Sequence, residues 1–199
     1  MVKHGIAAVL GVVALGVFFL APGQAAPPAG RPPENIAPKA AITATSEFHP
    51  QNYGAKNVAD GKIPGPGSGA EDVGAAWCVQ GTTHRNGAEL TFTWPGEMPL
   101  AEIHYWGRVG WFANECWKGC EVYLDSSATP AAKGEFKMGF GPQPIKLPPG
   151  SKAKAVRIKF TSSYGGFNPG AAEVQVFAEP VAPMASVTVR TALKAPVLR

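Results

Sequence analysis

The sequence predicts an all-β fold, an antiparallel β-sandwich, and three observations carry that reading. Short runs alternate apolar and polar residues with a period of two, as in Leu90-Thr91-Phe92-Thr93-Trp94, which gives a strand one dry and one wet face. Glycine and proline, 24 and 20 of 199 residues, punctuate these runs at a spacing of roughly ten residues, the rhythm of a sandwich or barrel. Helical periodicity is almost absent, and no internal repeat is found.

Strands are predicted near 40–46, 75–79, 87–94, 100–106, 120–125, 143–147, 154–161 and 173–179. The first turns Ile42 inward, and Val58 joins it from the loop that follows. The second carries Trp77, assigned to packing. The third holds Leu90 and Phe92 on its dry face and stops at Pro95-Gly96, because proline donates no ladder hydrogen bond. The fourth offers Ile103 to the core, assigns Trp106 to packing and reads His104 as a structural histidine with a satisfied ring. Val122 and Leu124 serve the fifth. Pro148-Pro149-Gly150 separates the sixth from the seventh, which turns Val156, Ile158 and Phe160 inward and leaves Arg157 and Lys159 wet. Val174 and Val176 complete the dry faces in the eighth. Each large aliphatic buried this way is worth about 1.5–3 kcal/mol, enough for a core without heavy cross-linking.

Around this domain the chain divides cleanly. Lys3 and His4 precede an apolar run from Ile6 to Ala21, followed by Gly23 and Ala25. A charged start, a short apolar centre and small residues at a cleavage site predict a secretory signal peptide over 1–25. The run is too short for a comfortable membrane span, and an uncleaved anchor is the alternative. Residues 26–34 are proline-rich and read as an extended linker. Residues 35–180 form one domain. Residues 181–199 read as a flexible tail or, alternatively, an added edge strand. The expected product is secreted or periplasmic/extracellular, monomeric, and without membrane insertion after signal cleavage.

Charge and cysteine content exclude several functions. Eighteen Lys and Arg against fourteen Asp and Glu give a net charge of +4, spread along the chain. Its one cluster, Lys152, Lys154, Arg157 and Lys159, falls on the wet side of a strand. No nucleic-acid groove or polybasic membrane patch is expected. Cys78, Cys116 and Cys120 are an odd set, so at most one bridge forms within the chain. Two pairings remain open: Cys78 with Cys116 or Cys120, pinning two loops together, or a local Cys116–Cys120 link. Zinc is not expected, since no Cys-x-x-Cys pair and no histidine at ligand spacing accompanies them. An enzyme is not expected either. No Gly-x-Ser-x-Gly stands in a strand-turn-helix context, and Glu71-Asp72 are adjacent acids with no carboxylate predicted opposite them.

Asn35-Ile36-Ala37, Val58-Ala59-Asp60-Gly61, Trp77, Arg108 and Glu173-Val174-Gln175-Val176-Phe177 follow one another in an informative order. In that order they resemble a discoidin domain, also called the coagulation factor V/VIII type C domain, over nearly all of 35–179. The resemblance implies a galactose-binding-domain-like jelly roll, and it is nearest the bacterial carbohydrate-binding modules. The lipid-binding branch is less similar, because its members usually tie their two ends with a disulfide and no cysteine lies near either end here.

The resemblance also implies a structural calcium ion and a sugar site. The calcium ligands would come from Asn57, Asp60, Lys62, the turn from Gly65 to Ser68, Ala172 and Glu173. Lys62 can offer only its carbonyl, which calcium accepts as readily as a carboxylate. The sugar site would use His84, Arg108 and Asn114 as hydrogen-bonding groups and Phe167 as a stacking ring. A pyranose presents a C–H face that suits an aromatic, and hydroxyls that suit a guanidinium fork and an amide. Trp111 and Phe112 share the Arg108 loop, and exposed aromatics on a loop are a recognition signal. The implied function is a secreted, non-catalytic module that binds a glycan of galactose type. The alternative is a cell-adhesion module gripping a surface protein with the same loops.

Overall fold

The structure, a computed structural model, describes residues 32–182. The predicted signal peptide over 1–25, most of the 26–34 linker and the tail beyond 182 lie outside the described residues. Nine strands form among the described residues: β1 Ala41–Ala44, β2 Trp77–Cys78, β3 Ala88–Pro99, β4 Glu102–Gly107, β5 Trp117–Leu124, β6 Ala132–Glu135, β7 Pro142–Lys146, β8 Lys152–Ser163 and β9 Gly170–Phe177. They build a five-stranded sheet, β1-β3-β8-β5-β6, and a four-stranded sheet, β2-β9-β4-β7. Every strand pairing within the two sheets is antiparallel. This is the predicted sandwich. No helix among the described residues is long and apolar enough to cross a membrane.

Eight of these strands fall where the sequence predicts them, and two differences have plain causes. The alternation of β3 was expected to end at Trp94, yet the strand runs to Pro99. The register shifts between Thr93 and Met98, so Pro95 sits within a bulge and owes no ladder bond. Strand β6, Ala-Lys-Gly-Glu, has no apolar alternation and was not predicted. It adds at the edge of β5, half-exposed along its length, and short charged strands are a common way to blunt a sheet edge.

The core lies between the sheets. Of the inward residues predicted, all are buried except Ile42 and Leu124, which pack partly buried against its margin. Its centre is aromatic: Trp117 stacks on Phe160 with centroids 4.7 Å apart, and Trp77 lies 6.0 Å from Trp117. Two buried indoles find carbonyl partners, Trp94 Nε1 donating to Ile36 at 3.0 Å and Trp77 Nε1 to Ser46 at 2.9 Å, as buried indoles ordinarily require. His104 lies 3.0 Å from Glu102, the satisfied structural histidine that was expected.

None of the candidate disulfide pairings is formed. Cys78, Cys116 and Cys120 are all unbonded and buried. Gly170 explains the first pairing: it pairs with Cys78 on one side and Cys116 on the other, so a strand stands between them. Cys116 borders the four-stranded sheet through that bridge, whereas Cys120 pairs with Gly134 and Phe160 in the five-stranded one. Burial raises the Cys116 thiol and pushes Cys78 and Cys120 up to about 12, which keeps all three protonated and unreactive.

Register also fixes the two poles. Gly107 of β4 is level with Ala171, Cys78 with Gly170, and Trp117 with Ser163. The loops 79–87, 108–116 and 164–169 therefore share one end. Asn35 bridges Phe177 at the opposite end.

Candidate functional site

The loops at the shared end are seamed together by glycines. A Cβ on Gly81 would stand 1.4 Å from the Phe167 carbonyl oxygen, and one on Gly166 would stand 2.6 Å from that of Asn114. A Cβ on Gly69 would meet the Trp111 ring at 2.6 Å, and one on Gly110 would meet Asp72 at 3.0 Å. Only glycine permits approaches of this kind. They lock four segments into one rigid crown.

Arg108 lies beneath that crown, 3% exposed. Its Nε and Nη2 both reach Asp72 Oδ2 at 2.7 Å, and Nη1 donates to Glu115 Oε2 at 2.6 Å and to the Asn168 carbonyl at 3.0 Å. The Tyr53 ring sits 4.9 Å from the guanidinium carbon. Glu115 uses its other oxygen to accept from the Asn168 N–H at 3.2 Å. The predicted fork of open donors is therefore committed inside the protein. A buried guanidinium demands paired carboxylates, and Asp72 and Glu115 supply them. Burial works against the charge on Arg108, but Cys78, Asp72 and Glu115 together leave it above its ordinary value. Burial also lifts Asp72 above the usual carboxylate range, and Arg108 offsets only part of that rise. Sequence reasoning missed both acids; Asp72 was read as an unopposed acid.

Above the ion cluster stand side chains that water reaches. Phe167 is 74% exposed, Phe112 60% and Trp111 50%. Trp111 is steadied by a hydrogen bond from Nε1 to Tyr53 Oη at 3.3 Å. Asn114 is exposed, and its carbonyl accepts from Gly166 N at 3.1 Å, beside Phe167. His84 is half-buried, with Nδ1 2.6 Å from Thr83 Oγ1. Its turn is tied to the Phe167 loop through Asn168 Nδ2, which donates to the Val79 carbonyl at 2.9 Å. The predicted residues thus gather at one end, with Arg108 below the surface and His84, Trp111, Asn114 and Phe167 at it. A cavity of ≈ 450 Å³ opens in the same region, lined by Gly81, Thr82, Thr83, Arg85 and Asn86. A larger groove of ≈ 970 Å³ lies toward the other pole between proline-rich walls that include Pro99, Pro148 and Pro180. Its acid, Glu102, already accepts from Val181 N at 2.8 Å and faces His104.

Of the implied calcium ligands, Asp60 is brought near Glu173 of β9, following the 3-10 turn Ala55–Ala59 that packs on that strand. Glu173 is fully buried, and neither of its oxygens has a hydrogen-bond partner. Burial, reinforced by the charge of Asp60, raises its pKa to about 8; the Gly61 N–H opposes the rise but makes no well-formed bond. Asp60 Oδ1 accepts from Lys62 N at 2.9 Å, and Oδ2 lies 3.3 Å from Lys62 Nζ. Gly65 curls so that its carbonyl accepts from Ser68 Oγ at 2.5 Å. The Asn57 amide braces the 3-10 turn by donating to Asn52 and Ala76 carbonyls at 3.1 and 3.0 Å. Ala172 is buried beside Glu173. No group of three or more His, Cys, Asp or Glu gathers for a metal among the described residues. A cation here would rest on two carboxylates and main-chain carbonyls. That donor set fits calcium, which takes six to eight oxygens of either kind, and the orphaned Glu173 carboxylate fits it too.

No protein-family model matches the sequence, and no curated protein matches it. Solved structures do. A family 32 carbohydrate-binding module from C. perfringens NanJ, in complex with galactose, is 16% identical with a TM-score of 0.58, over 72% of this chain and 97% of that one. A Clostridium perfringens module in complex with GalNAc-β-1,3-galactose is 20% identical with a TM-score of 0.57, over 73% of this chain and 100% of the other. A fucolectin from striped bass (Morone saxatilis) serum gives a TM-score of 0.59 at 14% identity, over 73% of this chain and 48% of that one. The chain thus has the galactose-binding-like discoidin fold of carbohydrate-binding modules and lectins, as the resemblance implied.

Proposed function

We propose that this protein is a secreted, non-catalytic glycan-binding module whose ligand rests on the loop crown. The observation that carries the reading is Phe167, an aromatic ring 74% exposed on backbone fixed against Gly81 and Asn114. An exposed ring on a fixed backbone is suited to the C–H face of a pyranose. Asn114, Trp111 and His84 supply the amide, the second ring and the imidazole around it. Arg108 serves the site from below by fixing the loops. The solved neighbours named above were complexed with galactose and a GalNAc-galactose disaccharide, and a lectinolysin lectin domain with Lewis B antigen; a galactose-type glycan is the corresponding expectation here. Calcium on Asn57, Asp60, Lys62, Gly65, Ala172 and Glu173 would be structural, stapling the 54–68 segment to β9. Affinity at such a single site is modest, since docking entropy is large.

A glycan array probed with the mature protein tests this. Binding to defined glycans that is lost in Phe167→Ala, with folding intact, is expected. A silent array with calcium-loaded, folded protein would remove the reading.

A further inference from the structure

Three arginines are described, and two are neutralised within the fold. Arg108 meets Asp72 and Glu115, and Arg157 Nη1 lies 2.7 Å from Glu89 Oε1. Arg85 has no carboxylate within ion-pair distance among the described residues, and its Nε is buried with no hydrogen-bond partner. The Arg85 guanidinium thus makes no ion pair and no side-chain hydrogen bond within the described fold, and a charge left uncompensated there is unfavourable unless its open edge meets a counter-charge.

The surroundings of Arg85 are those of a polar receptacle. It lines the ≈ 450 Å³ cavity with the hydroxyls of Thr82 and Thr83 and the amide of Asn86. Gly81, at the start of the same turn, abuts the Phe167 carbonyl, so the cavity's wall is joined to the backbone of the loop that carries the exposed ring. Hydroxyls and an amide match sugar hydroxyls. A planar guanidinium without an internal acid matches a bidentate anion, the oxygens of a carboxylate or a sulfate.

We propose that Arg85, with Thr82, Thr83 and Asn86, forms an anion subsite of the ligand site, and that the glycan bound here carries a uronate carboxylate or a sulfate ester next to the unit stacked on Phe167. The inference rests on the glycan reading and adds the ligand's charge. Neither His84 nor Arg108 supplies this function: the first is neighbourly to Thr83, and the second is enclosed.

The test is titration calorimetry on the full chain with two matched pairs of probes. One pair is an oligogalacturonate and its carboxyl-reduced neutral counterpart. The other is a sulfated galacto-oligosaccharide and its desulfated form. At least one acidic member is expected to bind about tenfold more tightly than its neutral twin, and the margin should shrink as salt rises. Which pair shows the margin identifies the anion. Arg85→Gln should erase the preference by bringing the acidic member down to the affinity of its neutral twin, and Arg85→Lys, which keeps the charge but not the fork, should retain part of it. Phe167→Ala should weaken both members of a pair alike. Equal binding of acidic and neutral members, with Phe167→Ala still damaging, overturns the anion subsite and leaves the glycan reading standing. Failure of the folded protein to bind any of the four probes overturns both. Should Arg85→Gln fold poorly, the salt dependence of the unmutated protein decides alone, and a salt-independent affinity overturns the subsite.

Discussion

Arg108 Nη1 donates to the main-chain carbonyl of Asn168 at 3.0 Å, one residue beyond the exposed ring of Phe167. That bond links a charge enclosed in the fold to the loop that carries the proposed stacking platform. The two residues do different work because their environments differ: 3% against 74% exposure. One decides whether the crown holds its shape, and the other decides what the crown holds.

Removing the enclosed charge should be severe. Arg108→Ala leaves Asp72 and Glu115 buried with no counter-charge, and breaking a buried pair by deleting one partner costs about 3–5 kcal/mol. Urea unfolding should report a loss of that order. Arg108→Met combined with Asp72→Asn and Glu115→Gln should recover a part of it, since uncharged partners need no counter-ion. An unchanged unfolding midpoint in Arg108→Ala would mean the ion cluster does not organise the loops.

Phe167→Ala should behave in the opposite way. An exposed side chain with no buried contacts to lose should alter stability by no more than about 0.5 kcal/mol. Binding should weaken by about threefold to tenfold, the scale of one aromatic stacking contact. Parallel unfolding curves and glycan titrations check this. A large loss of stability without loss of binding contradicts the assignment of Phe167 to the ligand.

The contrast also marks what the sequence could reveal. Period-two alternation located Leu90, Phe92, Val156, Ile158 and Phe160 because each strand has one dry face, and burial rewards that pattern directly. Strand β6 escaped because an edge strand needs only a neighbour's backbone, which Ala132-Lys133-Gly134-Glu135 provides with no apolar signal. The chemistry of Arg108 was legible, but its direction was not. Its partner Asp72 is 36 positions away, and only the closed fold brings them together. The cysteines failed for the same reason: chain order cannot show that Gly170 runs between Cys78 and Cys116. Arg85 was visible beside His84, but the orphaned state of its Nε depends on the packing of neighbours that composition does not specify.

Two glycine substitutions separate rigid seams from open turns. Gly81→Ala places a methyl group 1.4 Å from the Phe167 carbonyl oxygen, so the backbone must separate. Overpacking of this kind costs about 1–3 kcal/mol, and it should also displace Phe167 and weaken glycan binding. Gly96→Ala meets nothing within 4 Å and should change neither property. Thermal melts with ligand titration on both variants provide the comparison; equal behaviour of the two would show that the crown is not held by close contact.

Calcium removal should expose the cost of enclosing Glu173. Its pKa in the fold is about 8 against an ordinary 4.5, raised by burial first and by Asp60 second. Between those values the metal-free native state holds a proton that the unfolded chain has released. Stability must then fall as pH rises through that window, with a slope of at most about 1.4 kcal/mol per pH unit. A bound cation reverses the balance by favouring the ionised carboxylate, so calcium affinity should increase over the same range. Chelator-treated protein is therefore expected to melt at progressively lower temperature from pH 5 to pH 8, and calcium should restore the melting temperature most at the alkaline end. Glu173→Gln should flatten the pH profile and abolish the response to calcium, because the amide carries neither the proton nor the charge. A melting temperature at pH 8 that calcium leaves untouched in chelator-treated protein would assign Asp60 and Glu173 to the fold alone.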